Sequence, residues 1–220
     1  MRTASEVARR AVAMTALAFR ASLEVTDHSR SAELSHGLPK WLEHFGMATD
    51  LMQYERELLD APYGTLDSSQ SREAHWSGEA AWVLAWAIGL VERPPECEPT
   101  DYRILFERLR IMRPEVRQLL AAAEVRPTAE WVEYCVATWA LRSELQLRNL
   151  EPGNRDLLAD LQRKRLLALG LSPDPDVIDA AVRLVDSFTG EECTRGSGLA
   201  FVREHALFWL LSDRSSYFEN

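Results

Sequence analysis

Cysteine is scarce: Cys97, Cys135 and Cys193 are the only three in 220 residues. They are odd in number, far apart and never in CxxC spacing, which excludes a disulfide framework and a paired-cysteine metal site. Such usage fits a reducing compartment, and we read the protein as cytoplasmic with structural or incidental thiols. Strand-like alternation is missing, which argues against a sheet. Long apolar runs are missing too. The stretch Ala80–Val91 falls short of the about 20 residues that cross a bilayer, so no membrane association is expected. There is no GxGxxG, no Walker loop and no GxSxG. The five histidines, His28, His36, His44, His75 and His205, show no HxxxH or HExxH spacing. No metal and no cofactor is expected. Glu191-Glu192-Cys193 reads as a solvated loop, and His205, beside Glu204 and one turn from Trp209, as a structural histidine with no nucleophile tied to it.

Positive charge is also in short supply. Lys and Arg number 25 against 34 Asp and Glu, a net −9, divided as −5 over residues 1–110 and −4 over residues 111–220. An evenly acidic surface repels phosphates, so nucleic acid is not an expected partner. Arg163-Lys164-Arg165, the densest basic run, reads as a solvated helix face.

What is present is helix signal. Hydrophobic residues make up 46% and charged residues 27%, ordinary for a globular chain. At 220 residues the chain buries roughly 70% of its unfolded surface without staples. MRTASEVARR followed by the apolar AVAMTALAF mimics a signal peptide. Glu6 in the supposed basic region and the lack of a small-x-small site favour an amphipathic core helix behind a Thr3–Glu6 capping box. Gly37-Leu38-Pro39 predicts a short helix with Pro39 at its first position and Gly46 at its close. Asp50–Gln53 predicts another start, stopped by Pro62, and 63–72 a polar loop. Thr100 is expected to cap DYRILFERLR, and Pro114 to restart a helix running to about Val125. A long helix follows Pro127-Thr128, a turn lies at 151–154, and a further helix runs to Gly170. Asp174-Pro175 starts another, with Val177, Ile178, Ala181, Val182, Val185 and Phe188 on one face. Residues 189–198 predict a loop and 199–211 a last helix. The expectation is an all-α, compact multi-helix bundle of about nine helices forming a single domain over 1–220.

Residues 75–91, HWSGEAAWVLAWAIGLV, are the most distinctive segment. Trp82 and Trp86 lie one turn apart, beside a stripe of Ala81, Ala85 and Gly89, with Leu84, Ile88 and Val91 further round. A helix over 76–91 that is apolar on nearly every side belongs at the centre of a domain. The competing reading is an aromatic ligand pocket, for which Trp82, Trp86, Trp139 and Trp209 are the candidates.

Three charges interrupt apolar stripes. Glu79 projects with Val83, Trp86 and Leu90; Arg142 with Trp131, Cys135, Trp139 and Leu145; Arg203 with Leu199, Ala206, Leu207 and Leu210. A buried charge needs a partner, and arginine suits two-pronged pairing with a carboxylate. Glu79 is therefore expected to pair with Arg142 or Arg203. The blander readings are an acid in a first helical turn and arginines that snorkel outward. If both arginines converge on Glu79, a third acid, Glu144 or Glu204, or a small bound anion would balance the spare charge. Glu79, Arg142 and Arg203 thus form the candidate ligand-binding cluster.

The order of segments resembles the bacterial family known as domain of unknown function 4272. VARRAVAMTALAFRASLE comes first, then LPKWLEHFGM, then HWSGEAAWVLAWAIGLVERPP, the strongest match, then LRIMRPEV and TWALRSELQLR. At the C-terminal side VREHALFWL resembles the family's charged group before an A-L-N-W-L ending. Phe208 departs from that pattern, and R-E-H replaces E-R-H, so of those charges only Arg203 carries over. Glu79, Trp86, Arg142, Arg203 and Trp209 lie in the matching motifs. The resemblance implies an α-helical domain and no established activity. The residues themselves point to a non-enzymatic interaction or regulatory module, of the kind that binds a protein partner in immunity or regulation. The alternative is a small-molecule protein or enzyme holding an anionic ligand in a tryptophan-lined pocket.

Overall fold

A computed structural model describes residues 2–26, 29–148, 150, 152–168, 170–172 and 174–212. Among these residues every regular element is helical: ten α-helices and one short 3-10 turn, with no strand. The chain divides into two compact units, one formed by residues 3–94 with 100–125 and the other by residues 1–2, 95–99 and 126–220.

The first unit holds α1 (Ala4–Val25), α2 (Ser31–His44), the 3-10 turn (Ala48–Asp50), α3 (Gln53–Asp60), α4 (Ser68–Ala87), α5 (Arg103–Arg108) and α6 (Val116–Ala122). Helices α1 and α4 are its most extensively packed pair. The capping box at Thr3 and Glu6 forms as expected, and the helix behind it is buried on almost every side. Ala8, Ala11, Ala18 and Ala21 on α1 and Ala74, Ala81 and Ala85 on α4 are fully enclosed. Such small side chains let two backbones come close, which increases the dispersion contacts each residue makes. The tryptophan helix is central in this unit and shares that place with α1.

Several local expectations need correction. Pro39 does not open a helix; α2 starts eight residues earlier, at Ser31, and carries Pro39 inside it. Gly46 does close the chain reversal after α2, at φ +69°. The polar loop ends sooner than expected, because Asp67 caps α4 through the Ser69 and Gln70 amides at 2.7 and 2.8 Å. The tryptophan helix stops at Ala87. Gly89, read as part of its small stripe, is the left-handed residue just past the end (φ +73°) and is exposed. There the Leu90 amide bonds back to the Ala85 carbonyl and the Gly89 amide to that of Trp86, both at 2.9 Å. Glycine is the residue that enters this geometry without Cβ strain.

The second unit holds α7 (Thr128–Arg148), α8 (Pro152–Ala168), α9 (Pro175–Asp186) and α10 (Gly190–Leu211). Helix α7 packs on the other three. Leu141, Leu145, Val185 and Ala200 form a core against which Cys97, Leu184, Phe188 and Cys193 pack. Asp174 caps α9 as expected, through the Asp176 amide at 2.9 Å. The loop expected over 189–198 is helix instead. Thr189 Oγ1 accepts from the Glu192 amide (3.3 Å) and the Glu192 carboxylate accepts from the Thr189 amide (2.7 Å), a capping box hidden in TGEE. Gly196, within that stretch, is buried on α10, where a Cβ would lie 3.4 Å from Leu145. The turn expected at 151–154 is helix from Pro152 on, the start of α8; Glu151, His28 and the Arg165 side chain of the basic run lie outside the described residues.

Candidate functional site

Glu79 on α4 is sealed, 4% exposed. Its Oε1 accepts from the Thr100 amide (2.7 Å) and the Thr100 hydroxyl (3.1 Å). Thr100 therefore does not cap the following helix, as DYRILFERLR suggests; α5 begins later, at Arg103, and carries no side-chain cap. Beside Glu79, a Cβ on Gly78 would fall 2.4 Å from Tyr102 Cγ. Glu79 holds the returning chain by charge-assisted bonds, and Gly78 makes room for the ring that follows.

Arg142 and Arg203 belong to the second unit. Arg142 pairs with Glu204, one of the two acids expected to balance a spare arginine, and its guanidinium carbon stands 4.6 Å from the Phe201 ring centroid. Glu144, the other acid, pairs instead with Arg148 at 3.3 Å. Arg203 is fully buried and donates to the carbonyls of Pro95, Glu96 and Glu98, the last at 2.7 Å. Its planar fork satisfies backbone acceptors in a segment without regular structure.

The four candidate tryptophans divide between the units. Trp86 is buried, and Trp82 is half-buried with its Nε1 donating to the Glu92 carbonyl at 2.9 Å. Trp139 is buried with its Nε1 on the Gln162 carbonyl at 3.2 Å. Trp209 is stacked under the Arg2 guanidinium, 4.7 Å from the ring centroid. Of three surface clefts, only the one between α7 and α8 is lined by any of these rings, that of Trp139. Neither Arg142 nor Arg203 lines any of the three.

The largest of these clefts, about 950 Å³, is built by the α5–α6 hairpin and the chain just past α4. Helix α5 has six residues and ends without glycine. The Ile111 amide reaches back to the Phe106 carbonyl (2.9 Å) and that of Arg110 to Glu107 (3.2 Å). That reversal puts Arg110 in the left-handed region at φ 57°, and Met112 follows at φ 60°. For residues with a Cβ each such position costs about 1–2 kcal/mol. Between them Ile111 is buried, and the tip of Met112 lies 3.1 Å from where a Cβ on Gly37 of α2 would sit. Leu90, Ile104 and Leu119 supply apolar lining, Ile104 being 45% exposed. At the rim Arg103 is paired with Asp101, and Glu107 lies 3.7 Å from the Arg113 guanidinium. Arg108 and Arg110 have no carboxylate partner among the described residues.

Sequence reasoning passed over these arginines. LRIMRPEV stood out only as a family motif, although a helix end running into Pro114 with no glycine was a sign of strained backbone. It also missed Arg10, Arg20 and Glu55, all buried in the first unit. Arg20 pairs with Glu24 and donates to the Ala61 and Pro62 carbonyls at 3.0 and 3.1 Å. Among the described residues, no group of three or more His, Cys, Asp and Glu is placed to hold a metal ion. None of their helices is long and apolar enough to cross a membrane.

Helices throughout, with buried arginines that tie irregular segments to helix faces, define an all-α protein. The chain belongs to the family described as a domain of unknown function (DUF4272), which matches residues 1–169. Glu79, Trp82, Trp86, Trp139, Arg142 and LRIMRPEV fall inside that match; Arg203, Trp209 and the likeness seen in VREHALFWL fall beyond it. Comparison with curated proteins finds no match. Comparison with solved structures finds none either.

Proposed function

We propose that this chain is a protein-interaction module whose contact surface is the α5–α6 cleft. The observation that supports this most is the conjunction, in one cleft, of strained backbone and uncompensated arginines. Backbone strain persists where the surrounding fold over-determines it, and it concentrates at working surfaces. Here it falls on Arg110, in a trough whose apolar lining of Leu90, Ile104 and Leu119 is flanked by charged side chains. The occupant that fits is an amphipathic segment of a partner protein. Its apolar face would cover Ile104, Leu90 and Leu119, and its carboxylates would meet Arg108 and Arg110. Apolar burial supplies the affinity in such a contact, and the charges its register and approach rate.

The test is comparative affinity capture. Wild-type protein is compared with Ile104→Asp, with Arg108→Glu/Arg110→Glu and, as a surface control, with Lys40→Glu. A partner retained by the wild type and the control and lost by both cleft variants supports the reading. Identical captured sets from all four proteins sink it.

A further inference from the structure

A second cleft, of about 340 Å³, lies between α7 and α8, with Ile178 of α9 at its edge. Its lining is acidic, whereas the α5–α6 trough carries as many carboxylates as arginines. Glu144, Asp156 and Asp160 supply three carboxylates, against Arg163 as the one cation. Glu144 is shared with Arg148, and Asp160 sits 2.6 Å from Lys164 on the exposed surface. Asp156 has no cationic partner among the described residues.

Carboxylates alone would make a solvated acidic patch, but two further features set this cleft apart. The Trp139 ring lines it, 6% exposed, with its Nε1 spent on the Gln162 carbonyl, so the indole is locked. Ser143 also lines it, is 8% exposed, and its hydroxyl has no hydrogen-bond partner among the described residues. A nearly buried hydroxyl is nearly always satisfied, most simply in a helix by the carbonyl one turn back. The Ser143 oxygen is not sealed: it opens into the cleft, where water or a guest can reach it. The neighbouring Gln162 Oε1 is buried without a donor, while its Nε2 donates to Gln146 at 2.5 Å.

We propose that the α7–α8 cleft binds a small organic cation, an alkyl amine or quaternary ammonium, seated against the Trp139 indole with Asp156 as its counter-ion. The indole offers a negative ring face to a desolvated cation. Asp156 supplies the free carboxylate. For a primary ammonium, Ser143 Oγ accepts one N–H. The alkyl body fits against Leu147, Ala159 and Ile178. The volume lies at the lower end of the roughly 300–1,000 Å³ of ligand pockets, which sets the size of the guest. Of the tryptophans singled out in the sequence, Trp139 is the one that lines any of these three clefts, and the charge around it suits a cation rather than an anion.

Calorimetric titration of the full chain with 1,5-diaminopentane and with tetraethylammonium tests this, with 1,5-pentanediol as the uncharged comparison. Binding of at least one cation and none of the diol is expected, with the Trp139 indole N–H resonance shifting on saturation. Asp156→Asn, an exposed substitution that spares the fold, should weaken binding at least tenfold, as should Trp139→Leu. Diaminopentane binding weakened by Ser143→Ala, with tetraethylammonium binding unchanged, would assign the hydroxyl. No binding of either cation overturns the proposal. So does binding indifferent to both Asp156→Asn and Trp139→Leu, which would be diffuse attraction to an acidic surface. Neither result bears on the α5–α6 trough, which lies in the other unit.

Discussion

Arg10 and Glu55 meet as a two-pronged ion pair inside the first unit, Nη1 to Oε2 and Nη2 to Oε1 both at 2.7 Å, with side chains 5% and 0% exposed. Each carboxylate oxygen of Glu55 accepts two hydrogen bonds. Glu55 also accepts from the Met52 amide (2.9 Å) and the Tyr54 hydroxyl (3.2 Å), and Arg10 donates to the Asp50 carbonyl (2.8 Å). The pair thereby joins α1 to the first turn of α3. Removing one partner leaves the other charge buried and alone, which costs about 3–5 kcal/mol. Glu55→Gln and Arg10→Met should each lower the unfolding free energy from urea titration by that much, and the double substitution by less than the sum. A loss under about 1 kcal/mol for either single change would mean that water reaches the site.

Gly78 is irreplaceable for a different reason, one of space. A methyl group there would sit 2.4 Å from Tyr102 Cγ and 3.0 Å from its Cβ, the stiff root of the side chain rather than its tip. Helix propensity alone would favour alanine by about 1 kcal/mol. Overpacking should reverse that sign and destabilise by about 1–3 kcal/mol. Gly78→Ala combined with Tyr102→Ala should recover much of the loss in thermal unfolding. If Gly78→Ala is stabilising by itself, the ring gives way more easily than its position implies.

Arg203 is predicted to matter through the segment it holds. Its guanidinium serves three carbonyls between Pro95 and Glu98, which one ammonium cannot reach together. Arg203→Lys should cost about 1.5–3 kcal/mol. It should also loosen residues 95–99, so that alkylation of the half-buried Cys97 speeds up relative to Cys135. Unchanged Cys97 reactivity would show that the core contacts of Cys97, rather than Arg203, hold the segment.

The helices were legible in the sequence because their apolar positions recur at a helical period and their caps are short-range chemistry. Thr3, Asp174 and the glycine at 46 needed nothing beyond a few neighbours. Gly196 misled because a glycine in a polar stretch has two uses, turn and close approach, and only Leu145, 51 residues away, decides between them. Thr100 misled likewise, since a hydroxyl before an apolar run can cap a helix or meet a distant carboxylate. The candidate cluster shows the same limit. That Glu79, Arg142 and Arg203 are charges among apolar residues was visible, and burial of two of them confirms their setting. Which partners Glu79 and Arg203 meet depends on chain reversals at 95–100, and that of Arg142 on a helix 62 residues away, none of which periodicity encodes. Arg10 escaped notice because it stands beside Arg9, and in a pair of adjacent arginines the sequence does not say which one turns inward.

Alkaline pH should destabilise the protein through its thiols. Burial pushes the Cys135 thiol up to about 12, from an ordinary value of 9.0. Burial, with Glu96 nearby, raises Cys97 to about 11. Both raised values mean that the folded chain keeps protons that the unfolded chain gives up. The contribution is fully present below pH 9 or so, and it falls away as pH climbs toward those folded values. Urea midpoints measured from pH 8 to 10.5 should therefore decline, and less steeply in Cys135→Ala than in the wild type. Equal slopes would show that the Cys135 environment is wetter than its burial indicates.

The strain in LRIMRPEV makes the sharpest prediction, because it sets stability against binding at a single residue. Arg110 occupies the position past α5 where glycine would enter the left-handed region freely. Replacing it removes about 1–2 kcal/mol of steric cost and adds about 0.5–1 kcal/mol of unfolded-chain entropy. Arg110→Gly should thus leave the protein as stable as before or more stable by up to about 1.5 kcal/mol, while weakening partner capture by the α5–α6 trough. Arg110→Ala removes the guanidinium and keeps the strain, so it should weaken capture with no gain in stability. If Arg110→Gly instead lowers the unfolding free energy by more than about 1 kcal/mol, the arginine is there to hold the hairpin together. Its place at the rim of the trough would then be structural, and the strain would have no function to explain it.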